Sequence, residues 1–184
     1  MRDSLRHFVA EFVGTFALVF VGSGSIIAAT ANRMDSALIV AALAHGTILA
    51  VMVSATMRIS GHFNPAVTIG FLAARRIEPA MAGVYIAAQI VGAILAAYAL
   101  KMLLPDTLTE ATRIGGQSIA LETSAGQAIG LEAIATFFLT FVIFGTAVDP
   151  KAPRIGGLAI GFTLAPCIFA IGPFTGGSLK PAPS

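Results

Sequence analysis

Ser60-Gly61-His62-Phe63-Asn64-Pro65-Ala66-Val67-Thr68 is the stretch that decides how this chain folds. It is polar and starts a helix, yet it lies between two long apolar runs, residues 36–57 and 79–100. Pro65 suits the first turn of a helix, where its missing N–H removes no hydrogen bond. Asn64 can cap that helix and still present an amide to a pore. A short half-helix from Pro65 towards Phe71 would then point its positive end at the bilayer midplane. Irregular backbone at that depth is tolerated only where protein or a water-filled cavity satisfies its polar groups. The plainer alternative is a cytoplasmic turn with an Asn-Pro signal. That alternative leaves Ser60–Thr68 unexplained.

Composition points the same way. The 184 residues are 57% hydrophobic and only 11% charged, against roughly 25% charged in soluble domains. Five runs, 12–32, 36–57, 79–100, 126–148 and 155–179, hold few ionisable groups, His45 and Glu132 among them. A span needs about 20 apolar residues to cross roughly 30 Å of hydrocarbon, so five spans fit and a sixth does not. The first span is too long for a signal peptide, carries Glu11 at its start, and ends in a weakly cleavage-like Ala28-Ala29-Thr30-Ala31. A single cysteine, Cys167, excludes an intrachain disulfide framework. A net charge of +2 is too small to suggest a nucleic-acid partner. With the N-terminus inside, the cytoplasmic connections hold Arg2, Arg6, Arg58, Arg75, Arg76, Lys151 and Arg154, against Arg33, Lys101 and Arg113 outside. That excess favours a cytoplasmic N-terminus.

The chain also repeats itself. Glu11-x-x-x-Thr15-Phe16-x-Leu18-x-Phe20-Val21 returns as Glu132-x-x-x-Thr136-Phe137-x-Leu139-x-Phe141-Val142. Leu43-Ala44-x-Gly46 returns as Leu158-Ala159-x-Gly161, and Gly61-x-x-x-Pro65-Ala66 as Gly177-x-x-x-Pro181-Ala182. Three matches in one order indicate a duplicated unit. Each complete unit supplies three crossings and a re-entrant segment, so the second enters the bilayer inverted. The first repeat covers about 1–104 and the incomplete second about 126–184, within one transmembrane domain, 1–184. The connection around 101–125 joins them on the outer face.

Ser60–Thr68 resembles the first Asn-Pro-Ala signature of the aquaporin family of water and small-solute channels. Gly176-Gly177-Ser178-Leu179-Lys180-Pro181-Ala182-Pro183-Ser184 resembles the second signature in altered form. The resemblance covers the chain from Glu11 onward. It implies an all-α membrane protein, an inverted-repeat bundle with two re-entrant half-helices, here lacking the sixth transmembrane helix. It implies a pore signature of Asn64, Pro65 and Ala66 with Lys180, Pro181 and Ala182, where Lys180 stands in place of the second Asn. Register with the repeats places the family's outer filter at His45, Ile168, Gly177 and Pro183. His45, Ile168 and Gly177 resemble the wider filter of plant vacuolar-type members, while Pro183 replaces the usual Arg. Ser184, following it, favours water over glycerol.

Glu11 and Glu132 are carboxylates inside spans, expensive unless partnered. The resemblance makes them structural acceptors for the backbone N–H groups of the re-entrant loops, with Gln89 in a similar loop-holding role. Gly14, Gly22, Gly24, Gly83 and Gly92 read as close helix-packing positions. His7 and His62 read as too far apart in setting for a metal site. No cluster of catalytic or metal-binding side chains appears, so an enzyme, a cofactor and a bound metal are not expected. The expected function is passive conduction of water, with small neutral solutes such as ammonia or glycerol. The alternative is a non-conducting truncated member that acts by associating with full-length subunits. Expected partners are water and small neutral solutes, the lipid bilayer and three copies of the same chain in a homotetramer. The compact tails suggest a bacterial inner membrane.

Overall fold

The computed structural model describes residues 2–149, 151–153 and 155–177. Among the described residues, five helices are long and apolar enough to cross a membrane. They are α1 (Arg2–Ala31), α2 (Ala37–Thr56), α4 (Pro79–Leu103), α6 (Ala125–Ile143) and α7 (Gly156–Thr175). Between α2 and α4 lies the nine-residue helix α3 (Pro65–Ala73). The helix α1 begins well ahead of the apolar run 12–32 and so takes in Glu11.

Local chemistry explains the helix ends. Pro65 and Pro79 each open a helix after an extended residue, Asn64 (φ −150°, ψ 123°) and Glu78 (φ −70°, ψ 143°). Ser124 and Gln127 form a reciprocal capping box at the start of α6. The last turn of α6 widens at Phe144–Val148. The 101–125 connection is more ordered than a loop, with a short helix α5 (Asp106–Ala111) and a tight turn at Arg113–Gly115. Pro105, with φ preset, and Asp106 in the first turn favour that helix.

The centre of the bundle is the crossing of α2 and α7. A Cβ added at Gly161 would stand 2.2 Å from the Gly46 carbonyl oxygen, and one at Gly46 would stand 2.7 Å from that of Gly161. The contact is reciprocal between residues at matching places in the two repeats. The apolar core spreads from this crossing, with Leu49 and Val53 of α2, Phe63 before α3, Val67 of α3, Leu139 of α6 and Leu164 of α7. A second seam joins α1 to α4, where a Cβ at Gly92 would meet the Phe12 carbonyl oxygen at 2.7 Å. Outward faces carry exposed Ile94, Phe137, Phe141 and Phe162. That is the surface an acyl-chain solvent requires.

The small residues do not all behave as close helix contacts. Gly83 has open space around it. Gly14 faces the Phe63 ring and Gly22 the His45 ring, so both make room for side chains rather than for a neighbouring helix backbone.

Replacing Gly161 by Val should force α2 and α7 apart and cost about 1–3 kcal/mol or more. Thermal unfolding in detergent should show a lowered midpoint. Gly130, which has nothing within 4 Å, should accept Ala with no loss, and an equal drop for both variants would contradict this packing.

Candidate functional site

The polar stretch before α3 is held by one buried carboxylate. Glu11 is 0% exposed. Its Oε1 accepts from the His62 backbone N–H at 2.8 Å and from the Ser60 hydroxyl, while its Oε2 accepts from the Phe63 N–H at 2.8 Å. Gln89 Nε2 donates to the same Oε2 at 2.7 Å and to Thr68 Oγ1 at 3.0 Å. Thr68 in turn donates to the Asn64 carbonyl at 3.2 Å. Phe63 is driven into a left-handed conformation, φ 49°, with its ring buried over Gly14. Four donors from two elements thus converge on Glu11, which is what a carboxylate needs to remain inside a span.

That anchorage fixes Asn64. Its backbone is extended, and its Oδ1 accepts from the Ala66 N–H at 2.9 Å, as an N-cap should. Pro65 and Ala66 form the first turn behind it.

Asn64, His45, Ile168 and Gly177 all border a single cavity of about 370 Å³, whose walls are otherwise mainly apolar, as at Leu49 and Val67. A second cavity of about 470 Å³ shares His45, Gln117 and Ile168 and adds Leu38 and Gly172. On the other side, a third of about 190 Å³ shares His62 and Ile160 and reaches Tyr85. The three lie in file through the bundle, with α2 and α7 as common walls. His45 Nδ1 lies 2.7 Å from the Ala41 carbonyl. A carbonyl oxygen only accepts, so Nδ1 carries a proton and donates.

Beyond α7 the chain turns sharply, with left-handed φ of 80° at Gly176 and 65° at Gly177. Glu132 Oε1 accepts from the Thr175 hydroxyl at 2.6 Å, and Thr175 accepts from the Gly177 N–H at 3.1 Å. Among the described residues this carboxylate reaches the Gly177 N–H through the Thr175 hydroxyl. Lys180, Pro181, Ala182 and Pro183 lie outside the described residues.

Two features escaped the sequence. Gln117 borders both of the larger cavities. It packs on Gly176, whose added Cβ would stand 2.6 Å from Gln117 Cβ, and Ala120 N–H bonds the Phe174 carbonyl at 2.9 Å. The backbone before it bends through left-handed Arg113 and Ile114 (φ 49° and 56°), at a steric cost of about 1–2 kcal/mol each. The Gly115-Gly116 pair signals a turn, but nothing in the sequence says that it dips inward. Second, His7 and His62 are not in separate settings. Both rings lie against Tyr85, with centroids 5.8 and 4.9 Å away. Among the described residues no group of His, Cys, Asp and Glu could hold a metal.

The description Major intrinsic protein matches residues 1–184. The chain belongs to the major intrinsic protein family. This major intrinsic protein is 40% identical to "Probable aquaporin TIP3-2" of Arabidopsis thaliana, over 98% of the chain and 71% of that relative. It is 39% identical to "Probable aquaporin TIP-type alpha" of Phaseolus vulgaris, over 98% of the chain and 72% of the relative. Its fold is similar to that of an aquaglyceroporin from Plasmodium falciparum, with TM-score 0.85, 25% identity, and coverage of 96% and 76% of the two chains. As a member of this family it is a multi-pass integral membrane channel protein with an aquaporin fold, not an enzyme. The expected bacterial inner membrane finds no support, since these close relatives are plant proteins.

Glu11→Ala should leave the Ser60, His62 and Phe63 donors unsatisfied, at about 1–3 kcal/mol for each buried group. Little folded protein should survive detergent extraction, as read by size-exclusion chromatography. An unchanged elution profile and unfolding midpoint would show that Glu11 does not hold the loop.

Proposed function

We propose that this chain conducts water passively across a membrane, with small neutral solutes such as ammonia as further cargo. The observation that carries the reading is Asn64, set at the N-terminus of α3 on the wall of a largely apolar cavity. An apolar wall offers an ion no substitute for its hydration shell, while a few polar atoms suffice to pass a neutral molecule along. The positive end of α3 adds a barrier to cations. In this reading Asn64 donates to passing water, and His45, Ile168 and Gly177, with Pro183, form the outer filter. Lys180, Pro181 and Ala182 take the second signature's place. Glu11, Glu132 and Gln89 hold the loops.

The whole chain, 1–184, acts as one domain of two inverted units in this reading. The distribution of Lys and Arg supports a cytoplasmic N-terminus. Assembly as a homotetramer belongs to the same proposal and is read by native mass in detergent. Family membership and the file of cavities favour conduction over the non-conducting alternative.

Stopped-flow osmotic shrinkage of liposomes carrying the purified chain tests the reading. Shrinkage well above that of empty liposomes, with a low activation energy, is expected. Shrinkage equal to the empty control, with the protein folded and inserted, would overturn it. His45→Phe should then suppress ammonia flux more than water flux, and equal losses would remove His45 from the filter.

A further inference from the structure

We propose that Gly22 is a specificity-determining residue of this channel. By lacking a side chain it seats the His45 imidazole back against α1, and so sets the width of the outer constriction. The proposal rests on the reading of His45 as a filter residue.

Gly22 is buried in α1 and faces the imidazole. A Cβ built there would stand 2.2 Å from His45 Nε2, 2.5 Å from Cδ2 and 2.6 Å from Cε1. Those three nearest atoms all belong to the one ring. Gly22 therefore differs from Gly92 and Gly161, whose nearest atoms are the backbone oxygens of a crossing helix. A single methyl group at Gly22 acts on the imidazole first and leaves the helix crossing alone.

The direction of the response is constrained as well. His45 Nδ1 is tied to the Ala41 carbonyl at 2.7 Å, so one edge of the ring is held to its own helix. To regain van der Waals contact with an added methyl, the edge that faces Gly22 must retreat from α1 by about 1 Å. The open space that His45 borders is the pair of cavities it shares with Ile168, which Ser23 and Ile26 of α1 also line. The imidazole would move into the path, towards Ile168 and Gly177. A shift of that size matters little to the fold, but in a constriction sized for single molecules it decides which solutes pass.

The test compares the full chain with Gly22→Ala, His45→Ala and the double variant in liposomes. Permeability is measured for a graded series of neutral probes: water, ammonia, formamide and glycerol. Gly22→Ala should reduce flux of the largest probe admitted by the unsubstituted chain about tenfold, with water falling by less than about threefold. In the His45→Ala background the same substitution should change nothing. A size-dependent loss that persists without the imidazole would overturn the proposal, and so would an unchanged series in Gly22→Ala. If His45→Ala itself leaves the series unaltered, the filter reading fails first and the proposal goes with it. Should Gly22→Ala not fold, recovery of folding in the double variant supports the seat, and no recovery overturns it.

Discussion

A carboxylate buried in the first span is the constraint on which the rest depends. Without Glu11, residues 57–64 would carry unsatisfied backbone donors into a medium that offers no water to replace them. With it, two N–H groups, a hydroxyl and an amide find one acceptor group. The same contacts satisfy the carboxylate, so the cost of placing it inside a span and the cost of placing loop backbone there offset each other. Everything at the midplane follows from this pairing, including the position of Asn64, the start of α3 and the burial of Phe63.

The path beside it works by contrast. Its walls are mainly Leu, Val and Ile side chains, from α1, α3 and α6 as well as from α2 and α7, the pair that meets through glycine at Gly46 and Gly161. Because those two residues touch through backbone atoms, α2 and α7 cannot shift closer. Polar atoms then enter at separate levels: His62 towards one end, Asn64 in the middle, His45 and Gln117 towards the other. Such spacing gives a neutral molecule successive partners and gives an ion too few at any one level.

The spans were legible in the sequence because membrane insertion is set by local composition, and the five expected runs fall on α1, α2, α4, α6 and α7. The capped start of α3 was legible because Asn-Pro preferences act within a single turn. Features made by distant residues were not. Gln117 faces inward because Ala120 is tied to Phe174 across more than fifty residues of chain. His7 and His62 share Tyr85 only because α1, the 57–64 segment and α4 converge at one end. Glycines posed the same difficulty. Gly22, Gly83 and Gly92 look alike in an apolar run, yet one faces an imidazole, one open space and one a carbonyl oxygen. Hydropathy records that a residue is small, not what uses the room.

The bond between Glu11 and Gln89 joins residues 78 positions apart. On a growing chain that bond cannot exist until the third crossing has been made. The first crossing must therefore enter the bilayer with its carboxylate lacking this partner. The Ser60–Thr68 segment has its hydroxyl and backbone donors ready earlier, but its full set of partners is complete only once α4 arrives. The re-entrant segment precedes α4 in sequence, yet its bonding network closes only with Gln89 of α4 in place.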